Sequence, residues 1–505
     1  MKVNLVIWIA VVGILCGLPG LAASSDEYLQ PEWAVGQGEV SSADLAVTVP
    51  PPAPESLGLR DAVSLALRHN AGFRSTIRGL LDARSAWWVA RQRWDLALFG
   101  EVVRTGNGET TETSRAGADL FYSAVTGADF SITAELDDLD SDEREQSIRA
   151  SVRQPLLAGR GTASSAYEEL RQARNSYRQS LLRFFTGRQD LIERIISSYF
   201  GALRREQVLT IQESSVKLAE QAVSDAELRL DSGLIAEIDL TRAQLRLAQA
   251  QASEVLARQE MQDSLDQFLS LLGLAVGGQP KLVTEAPYEP LKAEMEAAVT
   301  EALALRPELR LSQLDIENRS AALGIARSWR LPSLDLFGAY ATSSNGATDN
   351  SWDVGVELSI PIGSRGLSEA VRRAQWDMLV AEQDREDLRQ RITAEVRSEV
   401  RAVEAAERNV AIAGQSLEVA RRSLHIANRM VEEGLATNRD VIDAQNDLTA
   451  SDIALVTSEI ERYLARVRLQ RAGGRDLWQV LPSEEPEDQP AATEAASGEA
   501  GAETR

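Results

Sequence analysis

A chain of 505 residues is long enough for a large core or several domains. Its 76 acidic and 53 basic side chains leave a net charge of −23 with no basic cluster, which argues against nucleic acid as a partner. A single cysteine, Cys16, excludes a disulfide framework, and two histidines, His69 and His425, cannot build a metal site alone.

Residues 1–23 read as a signal peptide. Lys2 gives a positive start, Val3 to Leu18 is apolar, Pro19-Gly20 breaks the run, and Leu21-Ala22-Ala23 suits cleavage. Leu15 before Cys16 is a poor fit to lipoprotein processing, which wants a small residue there. No later apolar run reaches the ~20 residues of a membrane helix, so a membrane-spanning reading requires a barrel. Residues 24–56 are polar and proline-bearing (Pro50-Pro51-Pro52, Pro54) and read as a linker or extended strap.

From Leu57 the pattern turns helical through Leu59, Ala62, Val63, Ala66 and Leu67, breaks at Gly72 and continues over 73–93. A matching start, Ala298, Val299, Ala302 and Leu303, lies 236 residues later. Alternating segments follow each helix: 95–103 and 146–154 in the first half, 333–341 and 352–360 in the second. In the last, Trp352, Val354, Val356, Leu358 and Ile360 oppose Asp353, Gly355, Glu357 and Ser359. A period of two with one apolar and one polar face describes strands between two different solvents; a soluble sandwich would also alternate.

Phe99-Gly100 matches Phe337-Gly338 at offset 238, and Arg160-Gly161 matches Arg365-Gly366 at offset 205, so the first half holds 33 extra residues. Two further alternating runs, 118–124 and 129–136, lie in that excess around the turn Thr126-Gly127-Ala128. The first half is therefore expected to supply four strands and the second two, with polar loops at 104–116 and 137–145. Asp138, Asp140 and Asp142 imitate a calcium loop, but Glu143 and Arg149 stand where glycine and glutamate are needed.

Residues 162–231 contain no proline and predict a rod of about 105 Å at ~1.5 Å per residue. Residues 367–433 predict another, and 237–272 and 438–472 predict shorter return helices. Ala243, Ala250 and Ala257, and Ala444, Ser451 and Ser458, recur every seven residues beside large ones, the pattern of close coiled-coil packing. An irregular connector spans 273–291, and the acidic, Ala-rich 475–505 reads as disordered.

The turns between rods and return helices repeat. Gly233, Leu234, Asp239, Ala243-Gln244 and Leu247 match Gly434, Leu435, Asp440, Ala444-Gln445 and Leu448, every pair 201 residues apart. No phosphate loop, dinucleotide loop, nucleophile elbow or Cys/His cluster occurs, so neither an enzyme nor a cofactor is expected.

The doubled tips, the helix lengths and the element order, over roughly 57–474, resemble the outer membrane efflux protein family, the TolC-like exit ducts. The resemblance implies an α+β fold: outer-membrane β-barrel strands continued by a long periplasmic α-helical coiled-coil barrel. It implies two internal repeats, 57–290 and 291–474, and a homotrimer in the outer membrane lipid of a Gram-negative bacterium. The family usually takes two strands from each half. The implied function is a passive exit duct for efflux or type I secretion, with a periplasmic adaptor (membrane fusion protein) and an inner-membrane pump as partners. The alternative is a periplasmic coiled-coil adaptor or scaffold whose strands form a soluble domain.

Two groups of site residues follow. Asp440 and Asp443, three apart on one helix, share a face and suit either helix-start charges or a solvated surface. The resemblance implies that they line a narrow periplasmic mouth, with Asp239 of the first tip as a partner. Val431 and Ala436 stand where the family can carry an aromatic and a basic residue, so the lock is expected to run through Arg439 or Arg242 instead. Gly233, Leu234 and Ala236, and Gly434, Leu435 and Thr437, are either plain glycine caps or, as the resemblance implies, the adaptor-docking surface.

Overall fold

Proline-free stretches rich in Ala, Leu, Glu and Arg become the longest elements of the computed structural model, as helix propensity dictates. The structure describes residues 50–92, 94–106, 110–137, 145–233, 235–283, 294–344, 348–433 and 435–481. Strand β1 (Ser56–Leu57) leads into helices α1 (Leu59–His69) and α2 (Ala71–Arg91). Four strands follow: β2 (Trp94–Gly106), β3 (Thr110–Ser123), β4 (Asp129–Asp137) and β5 (Glu145–Pro155). Helices α3 (Ser165–Asp231) and α4 (Glu237–Leu272) form the first hairpin, and β6 (Lys281–Leu282) closes the half. The second half runs α5 (Met295–Leu305), α6 (Pro307–Ser328), β7 (Ser333–Ser344), β8 (Thr348–Ser359), α7 (Arg365–Glu432), α8 (Asn438–Ala472) and a short α9 (Leu477–Val480).

The six long strands make one antiparallel sheet in the order β2-β3-β4-β5-β7-β8, four strands from the first half and two from the second. The strands reach further than their polar ends suggest. β2 runs to Gly106 and β3 starts at Thr110, so the loop expected at 104–116 is mostly strand. Thr110, Thr111 and Thr113 are polar but β-branched, and propensity favours strand there. Of the loop expected at 137–145, Asp137 and Glu145 are strand ends, and Asp138, Asp140 and Asp142 lie outside the described residues.

Residues directly opposite across a ladder share a face. One face carries Leu96, Leu98, Leu120, Ile132, Val152 and Leu336, then Val354 and Val356 on β8. The other carries Asp95, Asp119, Asp129, Glu135, Asp353 and Glu357, with Arg115, Arg149 and Arg153 among them. Arg153 on β5 reaches Glu357 at 2.9 Å and Asp335 at 3.3 Å, joining the strands of the two halves. Two aromatic rings on the polar face need glycine opposite. A Cβ on Gly117 would sit 2.5 Å from the Phe99 ring, and one on Gly355 would sit 2.5 Å from the Phe337 ring.

The β3–β4 turn is bonded to the helical part. Thr126 O accepts from the Gly161 N–H at 2.9 Å, and Ser164 Oγ donates to Val125 O at 3.1 Å. The same Ser164 Oγ accepts from the Tyr167 N–H and caps the 67-residue helix α3. Gly127 has φ +90° there, and an added Cβ would meet Gly159 O at 2.8 Å.

The helices pack on small residues. Ala243, Ala250 and Ala257 of α4 and Val441 and Ala444 of α8 are buried, and Ala219 of α3 meets Ala250. The break expected at Gly72 falls at Asn70, whose side chain accepts from the Phe73 N–H and donates to Leu271 O, each at 2.8 Å. The strap lies down from residue 50 on: Ala275 N–H donates to Pro51 O, and β1 pairs in parallel with β6. The start of the expected acidic tail is packed as well. Leu477 is buried, Trp478 stands under Arg60 and Arg188, and Gln189 bonds both Asp476 and the Leu477 N–H. Residues 482–505 lie outside the described set.

Tyr199 ties the strap to the rods. It is buried, and its hydroxyl donates to Val283 O at 2.7 Å with Leu57 O at 3.2 Å. Burial pushes its phenol up to about 12. A raised value favours the neutral phenol in the folded state, so this stability is complete below the unfolded value near 10 and is lost as pH rises through about 12. Tyr199→Phe is expected to cost about 1 kcal/mol at neutral pH and to blunt the alkaline loss. Thermal melts of both proteins between pH 8 and about pH 12 check it.

Candidate functional site

At both tips a long helix ends, the chain reverses within a few residues, and an acid-started helix returns. At the first tip Gly233 adopts φ +70°, and its N–H donates to Leu230 O at 2.8 Å, a left-handed cap. Leu234 lies outside the described residues. Ala236 is exposed, serves as the N-cap of α4, and its carbonyl accepts from the Asp239 N–H at 2.9 Å. Asp239 meets Arg242 at 3.3 Å, one turn along the same helix.

At the second tip Gly434 lies outside the described residues. Leu435 is 70% exposed, and its N–H donates to Met430 O at 2.7 Å. Thr437 and Asp440 are brought together as a capping box: the Thr437 N–H and Oγ1–H both donate to Asp440 Oδ2 at 2.8 Å. These donors, with the backbone first, hold the Asp440 carboxyl below the usual aspartate range. Asp440 therefore has a structural task as well as an exposed charge. Asp443 is exposed and lies 3.6 Å from Arg439. Arg242 and Arg439 thus each pair within their own helix, and among the described residues no ion pair or hydrogen bond joins the two tips.

Sequence reasoning missed one feature of the tips. Leu228, Ile238, Ile426 and Met430 expose apolar surface beside Leu435 and Gly233. Their signal was available as large residues off the alanine seam.

Among the described residues no three metal-ligating side chains cluster, and no helix is long and apolar enough to cross a membrane. What the geometry defines is a class: two long helical hairpins joined to an amphipathic antiparallel sheet.

The sequence model of the outer membrane efflux proteins matches residues 112–274 and 298–475. Outer membrane protein TolC of Vibrio cholerae is 25% identical over 325 residues, 61% of this chain and 73% of that protein. The alkaline protease secretion protein AprF of Pseudomonas aeruginosa is 24% identical over 437 residues, 83% of this chain and 85% of that one. Among solved structures, the Vibrio cholerae outer membrane protein VceC superposes with a TM-score of 0.65 at 16% identity, covering 83% and 96% of the two chains. The Campylobacter jejuni CmeC outer membrane channel gives 0.64 at 15% identity, covering 82% and 85%. The chain belongs to the outer membrane efflux protein family.

The capping box generates a test. Because the Asp440 carboxyl is held low, its contribution is present at neutral pH and is lost as pH falls through its folded value. Thr437→Ala is expected to speed amide exchange over the first turn of α8 and to bring Asp440 back toward its ordinary range. Hydrogen-exchange mass spectrometry from pH 7 downward reads both effects.

Proposed function

We propose that this chain is the outer-membrane exit duct of a tripartite efflux or type I secretion system. The observation that carries the reading is the six-stranded sheet with a continuous apolar face, continued by two helical hairpins of which α3 alone is about 100 Å long. The apolar face is the lipid face, the polar face is the lumen wall, and the hairpins extend into the periplasm.

Six strands are too few for a pore, so copies must close the ring. An even number of strands leaves the edges β2 and β8 running in opposite directions, and β2 of one copy can continue β8 of the next as an antiparallel pair. The family reading makes the ring a homotrimer. The two halves read as internal repeats: the helix breaks at Asn70 and Arg306 lie 236 residues apart, and Phe99 and Phe337 lie 238 apart. The repeats run 57–290 and 291–474, between a leader and strap before them and an acidic tail after them.

An inner-membrane pump supplies the energy and a periplasmic adaptor docks on the tips. The docking residues on this reading are Leu234 and Leu435 with Gly233, Ala236, Gly434 and Thr437, and the exposure of Leu435 and of Met430 near it supports the assignment. Asp440 and Asp443 of three copies ring the mouth and favour cations, with Asp239 beside them. The alternative of a periplasmic adaptor leaves the apolar sheet face without a solvent to suit it.

Two outcomes test the assignments. Asp440→Asn with Asp443→Asn raises anion passage relative to cations in single-channel recordings; unchanged selectivity contradicts the mouth. Leu234→Asp with Leu435→Asp leaves a folded oligomer but lowers export by about tenfold or more, since each 1.4 kcal/mol lost from docking is tenfold in affinity. Undiminished export contradicts docking at the tips.

A further inference from the structure

The extra strands of the first half change the bore of the outlet. Four long helices per copy, α3, α4, α7 and α8, supply twelve to a trimer, and at the 8–10 Å of packed helices their ring measures about 96–120 Å around. Strands about 4.8 Å apart and tilted about 40° each occupy roughly 6.3 Å of a barrel's circumference. Four strands per copy would give a barrel about 75 Å around, a neck roughly 24 Å wide between backbones. Six per copy give about 113 Å, roughly 36 Å wide, which matches the helical ring.

Three observations make β3 and β4 part of that wall. β4 pairs along its full length with both β3 and β5, and β3 pairs with β2 from Thr110 to Tyr122. Their faces keep the alternation of their neighbours, Leu120 and Ile132 on the apolar side, Asp119 and Thr133 on the polar side. Their turn is fastened to the start of α3 through Thr126, Val125 and Ser164. The polar face is also acidic where copies would meet: Asp95 and Glu101 stand on one edge strand, Asp353 and Glu357 on the other.

We propose that three copies close an eighteen-stranded, acid-lined barrel as wide as the tunnel beneath it, an outlet for bulky cargo that is neutral or cationic. This rests on the exit-duct reading. A narrow neck would select by size after the mouth had already opened, whereas a matched bore passes whatever the tunnel admits. The acidic wall repels polyanions, and it does so less at high salt, as charges in a wide aqueous lumen must.

Cryo-electron microscopy of the full-length protein in detergent counts the strands directly. Eighteen strands at about 36 Å support the proposal. A ring with twelve strands, the β3–β4 hairpin folded elsewhere, overturns it while leaving the exit duct standing. No ring at all overturns both. In cells, single cysteines carried in a Cys16→Ala background give a second readout. Externally added impermeant maleimide is expected to label Asp119→Cys and Thr133→Cys and to leave Leu120→Cys and Ile132→Cys unlabelled. Equal labelling of all four shows a hairpin outside the wall and overturns the proposal. Graded maleimide polymers extend the arm: labelling at 119 continues to polymers that a bore of about 24 Å would exclude.

Discussion

The unpaired backbone edges of β2 and β8 govern the rest of the molecule. A strand edge in hydrocarbon leaves N–H and C=O groups without partners, at several kcal/mol each, and only closure removes that cost. On the exit-duct reading a single chain cannot meet this demand, because its sheet has six strands and two free edges. On that same reading each copy completes its neighbour, and oligomerisation becomes part of folding. The same logic explains where exposed apolar area concentrates. Among the described side chains of the sheet, Leu96, Leu98 and Val102 on β2 and Trp352, Val354 and Val356 on β8 are the most open apolar ones, since no neighbouring strand shields them on one side in one chain.

The helical part solves a different problem. Long helices laid side by side need close approach rather than bulk, and the buried alanines of α4 and α8 supply it. Charge then fills the joints. Arg306, buried where α5 meets α6, donates to Ala472 O at 2.7 Å and pairs with Glu395 of α7, and Arg471 pairs with Asp190 of α3. Glu193 and Glu399 border this cluster, and burial pushes both carboxyls up. The Tyr199 hydroxyl bonds the strap, and the packed segment around Trp478 meets Arg188 and Gln189, both on α3.

Much of this was legible in the sequence. The return helices lie where proline-free heptads put them, at 237–272 and 438–472, because a long periodic signal leaves little freedom. Four strands against two followed from the unequal offsets between matched pairs. The ends of strands were less legible. The Thr-rich start of β3 looks like a loop by polarity and is a strand by β-branching and by pairing with β2. The break at Asn70 was hidden for a related reason: its cause is a hydrogen bond to Leu271, some 200 residues away. At the tips, spacing alone could place Asp440 and Asp443 on one face. Only coordinates show that Asp440 closes a capping box and that Arg242 and Arg439 pair locally.

The mass of the detergent-extracted particle tests the central claim most directly. Native mass spectrometry of the full-length protein, purified from the outer membrane fraction, is expected to give three chains in a particle that aggregates when detergent is removed. A water-soluble monomer from the same preparation would contradict the account, because the edges of β2 and β8 would then need no partner.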